Sequence, residues 1–179
     1  MKQRPSDEEL MAFIRDGSKE AFRELMARWQ RPVYQFFGLM GVDRSEGEDG
    51  VQEVFLRIFS YRDRYRSSGA GFRAFLFRVS RNVAIDFLRR SRKRTHPGPL
   101  ESEPAAEHRV PLWDDRFDCE WALDRLSDRH RVVVILNVIS GLTYRETAAA
   151  LGLPVGTVKS RMHYALAQLR ETLHVEAGS

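Results

Sequence analysis

The chain has 179 residues, 42% of them hydrophobic and 30% charged, with a formal net charge of +4. That length holds one medium domain or two small ones, and the charged fraction exceeds the roughly 25% of an average soluble protein, so collagen-like, mucin-like and wholly disordered chains are excluded. The longest apolar run, Val132 to Leu136, falls far short of the roughly 20 residues that cross a bilayer, and a single cysteine, Cys119, permits neither an internal disulfide nor a Cys/His cluster for structural zinc.

The opening MKQRPSDEEL carries no apolar signal core, so a cytoplasmic protein is expected. Ser6 and Glu9 have the spacing of a capping box, as do Ser45 and Glu48 and, later, Thr143 and Glu146; each marks a helix start. Val51, Val54, Phe55, Ile58 and Phe59 recur at the three-and-four spacing of one helix face. Breaks are predicted near Gly17, Pro32, Gly41 and the Ser67 to Gly71 loop. No stretch alternates as a strand. Beyond the loop, Phe72, Leu76, Val79, Val83 and Phe87 fit a helical core stripe. That stripe leaves Tyr61, Tyr65, Arg66, Arg73, Arg81, Asn82, Arg89 and Arg90 over, and single-stranded nucleic acid binds surfaces of such rings and cations.

Residues 94–115 contain Pro97, Pro99, Pro104 and Pro111 with no regular period, and are expected to form a flexible Pro-rich acidic linker. The chain therefore reads as all-helical, with a first domain at 6–93 and a second at 116–174. Charge divides along it. Residues 57–94 hold twelve Arg or Lys against Asp63 and Asp86, a balance of +10, whereas 101–128 hold nine Asp or Glu against three Arg, a balance of −6. A polyanion partner follows from the basic block.

In the second domain, TYRETAAALGLPVGTVKSRMHYALAQLR joins a helix opened by Thr143 to a turn at Gly152 and a further helix beginning near Gly156 or Thr157, with another break at Gly141. This is the pattern of a helix-turn-helix. Val158, Met162, Ala165, Leu166 and Leu169 form its buried stripe, and Ala148 sits where the helices cross. Tyr144 and Leu153 read as packing residues. Thr157, Lys159, Ser160, Arg161 and His163 are left facing a major groove.

The blocks DGVQEVFLRIF and FRAFLFRVSRNVAIDFLRR, followed by LDRLSDRHRVVVILNVISGLTYRETAAALGLPVGTVKSRMHYALAQLR, resemble the sigma-70 family, specifically the extracytoplasmic-function (ECF) group of bacterial RNA polymerase sigma factors. The resemblance covers nearly the whole chain. It implies a first domain that binds core RNA polymerase and melts promoter DNA near position minus ten, a linker through the polymerase, and a helix-turn-helix for the minus-thirty-five element. Core binding would fall to Asp49, Gln52, Glu53 and Arg57. The loop from Tyr65 to Gly71 would hold an extruded base, with Arg66 and Ser67 where relatives often carry an Asp-Pro pair, and Gly50 stands where an apolar residue is common. Arg81, Asn82, Arg89 and Arg90 would position the minus-ten strand. An anti-sigma factor is an expected partner; no cofactor, metal or small-molecule substrate is implied.

Two other classes compete. A helix-turn-helix regulator that is not a polymerase subunit accounts for the second domain but not for the VQEVFLRIF helix. A nuclease would need clustered carboxylates or a His base; Asp114, Asp115 and Asp118 cluster, but lack basic neighbours to hold phosphate, and no GxxxxGK[ST] loop is present.

Overall fold

The structure, a computed structural model, describes residues 4–67, 69–95 and 117–177, and every regular element among them is helical. α1 (Asp7–Arg15) opens on its capping box: the Glu9 amide donates to Ser6 Oγ at 3.2 Å and the Ser6 amide donates to Glu9 Oε2 at 2.7 Å. Two amides that a helix start leaves without partners are thereby satisfied. α2 (Lys19–Leu39) then runs straight through Pro32, where a break was expected. Proline there removes one ladder hydrogen bond and costs roughly 3 kcal/mol in a helix interior. The helix survives because Leu25 on one side of the proline and Val33, Phe36 and Phe37 on the other are all buried in the same core.

α3 (Arg44–Ser60) begins two residues too early for its expected capping box. Asp43 is the cap residue, without a side-chain bond, and Ser45 falls inside the first turn. Val54, Phe55 and Ile58 are buried, but Phe59 is 41% exposed. At about 100° per residue, a position eight beyond Val51 lies about 80° off the stripe; Leu166, eight beyond Val158, is exposed for the same reason. α4 (Gly71–Thr95) packs against α3, and its Phe72 amide donates to Glu8 Oε1 of α1 at 2.9 Å.

After the linker, which beyond the end of α4 lies outside the described residues, α5 (Phe117–Asp124) leads into α6 (Asp128–Val134), which continues as a π-helical turn over Ile135–Ile139. α7 (Tyr144–Leu151) has the predicted box, with Thr143 Oγ1 accepting from the Glu146 amide at 3.2 Å and the Thr143 amide donating to Glu146 Oε2 at 2.7 Å. Gly152 caps it in the left-handed conformation, φ 66°, which glycine adopts without the steric cost a Cβ would bring. α8 (Val155–Ala177) starts at Val155, slightly earlier than expected. Tyr144, read as a packing residue, is exposed, because the first residue of α7 lies beyond its neighbours' reach; Leu153 does pack against the core. The two helical groups touch: α4 lies along α7, and the buried apolar residues of both form one continuous cluster.

Gly50 explains itself in this core. A Cβ there would overlap Phe37 Cε2 and stand 2.9 Å from its Cδ2, and the Phe37 ring is fully buried. Helix propensity alone favours alanine by about 1 kcal/mol, whereas overpacking a fixed core costs about 1–3 kcal/mol. Gly50→Ala should therefore lower the denaturant midpoint, by up to about 2 kcal/mol of stability, while Gly156→Ala, in α8 with nothing within 4 Å, should raise it by up to about 1 kcal/mol.

Candidate nucleic-acid interface

The loop after α3 and the first turns of α4 enclose a cavity of about 310 Å³, lined by Tyr61, Arg64, Tyr65, Arg66, Phe75 and Arg78 together with Ala70, Ala74 and, from α7, Ala149. Its floor is aromatic. Tyr65 packs on Phe75 at 5.1 Å and on Phe72 at 6.1 Å between ring centroids, and burial, reinforced by Glu8, pushes its phenol up to about 12. Its rim is cationic: the Arg78 guanidinium sits 5.8 Å from the Phe75 centroid, and Arg66 Nη1 donates back to the Asp63 and Tyr65 carbonyls at 2.8 and 3.0 Å. Arg66 thus braces the loop that carries it. Rings for stacking beside cations for phosphate are what an unpaired nucleotide requires.

The family resemblance assigns Tyr65, Arg66 and Ser67 to a base-holding loop; Tyr65 and Arg66 line the cavity, Ser67 does not, and Arg66 and Ser67 are exposed. Arg64, Phe75 and Arg78 are additions from the structure. Arg78, Asn82 and Arg89 recur at i, i+4 and i+11 along α4, and that spacing could have found the first of them. Asn82, Arg89 and Arg90 are exposed on this helix, with Arg90 5.5 Å from the Phe87 centroid.

On α8, Lys159, Ser160 and His163 are exposed, and Thr157 and Arg161 are half-buried near the turn. Val158, Met162 and Ala165 face inward. Arg161 is near enough for its charge to act on Arg81 of α4 and on His130 of α6. Burial, and then the charge of Arg161, lower the proton affinity of the Arg81 guanidinium on α4; burial, Arg129 and Arg161 push the His130 imidazole below its usual range. His130 stacks on Tyr164 at 6.4 Å, and its Nδ1 is shielded without a hydrogen-bond partner.

On α3, Asp49 and Gln52 are exposed, while Glu53 and Arg57 are bound to each other at 2.8 Å, with Arg57 also donating to Asp86 of α4 at 3.2 Å. These bonds hold the Arg57 guanidinium above its ordinary range. The face is not a row of free charges. Leu56, unanticipated, is 61% exposed between Glu53 and Phe59, and Phe59 meets Phe22 at 5.2 Å with the Arg62 guanidinium 4.2 Å from its ring centroid.

Among the described residues no group of His, Cys, Asp and Glu could hold a metal ion, and no helix is long and apolar enough to cross a membrane. The Asp114, Asp115 and Asp118 side chains lie outside what is described.

Known proteins match the chain in sequence and fold. The sigma-70 region 2 profile matches residues 25–94 and the sigma-70 region 4 profile matches 122–171. The ECF RNA polymerase sigma factor RpoE of Cereibacter sphaeroides is 32% identical over 90% of this chain and 92% of its own, and the ECF sigma factor SigE of Mycolicibacterium smegmatis is 31% identical over 94% and 70%. Two solved structures share the fold. CnrH, in complex with the cytosolic domain of CnrY, is 26% identical with a TM-score of 0.73 over 94% of this chain and 97% of its own; the sigma factor RpoE of Bartonella quintana, in complex with the anti-sigma factor NepR, is 27% identical with a TM-score of 0.67 over 86% and 97%. A helix-turn-helix behind a cationic, ring-floored pocket, matched along nearly its whole length, makes this chain a member of the ECF group of the sigma-70 family, the transcription-initiation factors of RNA polymerase.

Proposed function

We propose that residues 6–93 bind core polymerase and open promoter DNA at minus ten, that 94–115 connect, and that 116–174 read the minus-thirty-five element. The cavity between Tyr65, Phe75 and three arginines carries this reading: it is large enough for a nucleobase with its sugar, lies where the loop was expected to hold an extruded base, and continues into the cationic stripe of α4. Extruding a base costs a few kcal/mol, which stacking at about 1–3 kcal/mol and cation contacts offset. Lys159, Ser160, Arg161 and His163, with Thr157, supply base-edge and phosphate contacts in the major groove. The protein acts in the cytoplasm as a polymerase subunit, not as an enzyme, without cofactor or small-molecule substrate. An anti-sigma factor is its regulator, as NepR is the partner of a relative of similar fold.

The two DNA surfaces separate by measurement on the holoenzyme. Arg161→Ala should cost about 1–3 kcal/mol of discrimination at the minus-thirty-five element. Arg66→Ala with Arg78→Ala should leave that discrimination intact, abolish permanganate reactivity at minus ten, and flatten the salt dependence of binding by about 0.9 for each phosphate no longer neutralised. Normal bubble opening in the double variant would remove the pocket from the reading.

Core binding is assigned to the α3 face of Asp49, Gln52, Glu53 and Arg57, with Leu56 at its centre. Buried apolar anchors ringed by polar groups carry most interface energy. Leu56→Asp should weaken capture of core polymerase at least tenfold, and Gln52→Arg less, with circular-dichroism melts near those of the parent because both side chains are exposed. Unchanged capture by both would move the clamp contact elsewhere.

A further inference from the structure

Beside its polar residues, α8 exposes an aromatic ring. Tyr164 is 64% exposed, and no large hydrophobic side chain among the described residues is more so. At about 100° per residue, Tyr164 falls between Thr157 and Ser160 around the helix, and the three span about 60° of arc. Val158, Met162 and Ala165, the buried stripe, lie on the other side. Tyr164 therefore shares the face assigned to the major groove. Seven residues at about 1.5 Å each set it about 10 Å beyond Thr157, a distance of about three base pairs at about 3.4 Å per pair.

This ring is held, although it is exposed. It stacks on His130 of α6, with centroids 6.4 Å apart and planes 22° from parallel, and meets His163 edge-on at 5.9 Å and 74°. His130 is half-buried where α6 packs on α8, and its Nδ1 is shielded from water. Burial, with the charges of Arg129 and Arg161, pushes the imidazole below its usual range, so at neutral pH it is an uncharged plate beside the phenol ring. A ring fixed before DNA arrives avoids an ordering cost that a free side chain meets on binding.

With His130 against one face, Tyr164 presents its other face and its edge to the groove. The thymine C5 methyl is the apolar group that distinguishes a base pair there, and side chains with an apolar surface contact it. We propose that Tyr164 is a specificity-determining residue that reads one thymine methyl of the minus-thirty-five element, and that His130 of α6 is its positioning residue. The inference rests on α8 being the recognition helix. It adds an apolar contact to the polar set of Thr157, Lys159, Ser160, Arg161 and His163, and it gives α6 a share in promoter choice.

The test uses holoenzyme reconstituted with the full chain and a promoter library randomised over the minus-thirty-five element. The parent should enrich thymine at one position that Tyr164→Ala leaves unselected, with the preferences at other positions kept. Replacing that thymine by deoxyuridine removes only the methyl; it should weaken binding by the parent about fourfold and binding by Tyr164→Ala not at all. His130→Ala should bring the thymine-to-deoxyuridine ratio close to that of Tyr164→Ala, and His130→Phe, which keeps a stacking plate, should restore it. Lost stability alone would weaken binding to every sequence and leave the ratio unchanged, and circular-dichroism melts follow it separately. Tyr164 is exposed, so its variant does not threaten the fold. If Tyr164→Ala selects the same element as the parent, or if the parent binds deoxyuridine as well as thymine, the methyl contact is overturned while α8 keeps its role. A parent-like ratio in folded His130→Ala would overturn the positioning role. A parent holoenzyme that selects no upstream element would remove α8 from promoter recognition, and this inference with it.

Discussion

A guanidinium withdrawn from water is the constraint around which this chain is arranged. A buried ion without partners costs several kcal/mol, and removing one member of a buried pair is correspondingly severe. Arg131 has both a carboxylate and a carbonyl, but the carbonyl belongs to Leu39, 92 positions away along the chain. Satisfying it fixes where α6 stands on α2. Because α6 packs against α8, and α7 against α8 in turn, the placement of the helix-turn-helix follows from that one bond and from its counterpart at Arg73.

α4 carries the other half of the arrangement. One side buries Phe72, Leu76, Phe77 and Val83 in the core shared with α2 and α3, a second lies along α7, and a third presents Arg78, Asn82 and Arg89 outward. A helix asked to face three environments has no single polar side, and its apolar residues spread around it accordingly. The same distribution explains why the pocket can have an aromatic floor and a cationic rim within two turns: Phe75 and Arg78 are three residues apart and so adjacent on the surface, one partly covered by Tyr65 and the other exposed.

What could be read from the sequence was what depends on neighbours in sequence. The Ser6–Glu9 and Thr143–Glu146 boxes, the turn at Gly152 and the inward stripe of Val158, Met162 and Ala165 are local patterns, and each stands as expected. Where distant packing outweighs a local preference, local reading fails: Pro32 stays inside α2 because the core grips the helix on both sides of it, and Phe59 and Leu166 drift off their stripes where 3.6-residue periodicity runs past the covering helices. Gly50 is conspicuous in the sequence, but its reason, the Phe37 ring, belongs to another helix. The site divides the same way. Recognition-helix residues are legible by type and spacing and the loop residues through the family resemblance, whereas the ion pair of Arg57 with Asp86 and the influence of Arg161 on Arg81 require the tertiary structure.

The bond from the Phe72 amide to Glu8 ties the start of α4 to the first helix of the chain, which also reaches α2 through Asp7, whose carboxylate accepts from Arg28 at 2.6 Å and from the Trp29 indole at 3.1 Å. The region 2 profile matches only from residue 25, so a fragment cut to that boundary discards α1 entirely. It would lose Leu10, Met11 and Ile14 from the core and the acceptor that closes the first turn of α4, next to the base pocket. The ribosome releases α1 some sixty residues before the helix it finishes, so the nascent domain holds an unfilled apolar face until α4 emerges. The profile boundary and the folding boundary differ here by one helix, and domain excision should follow the latter.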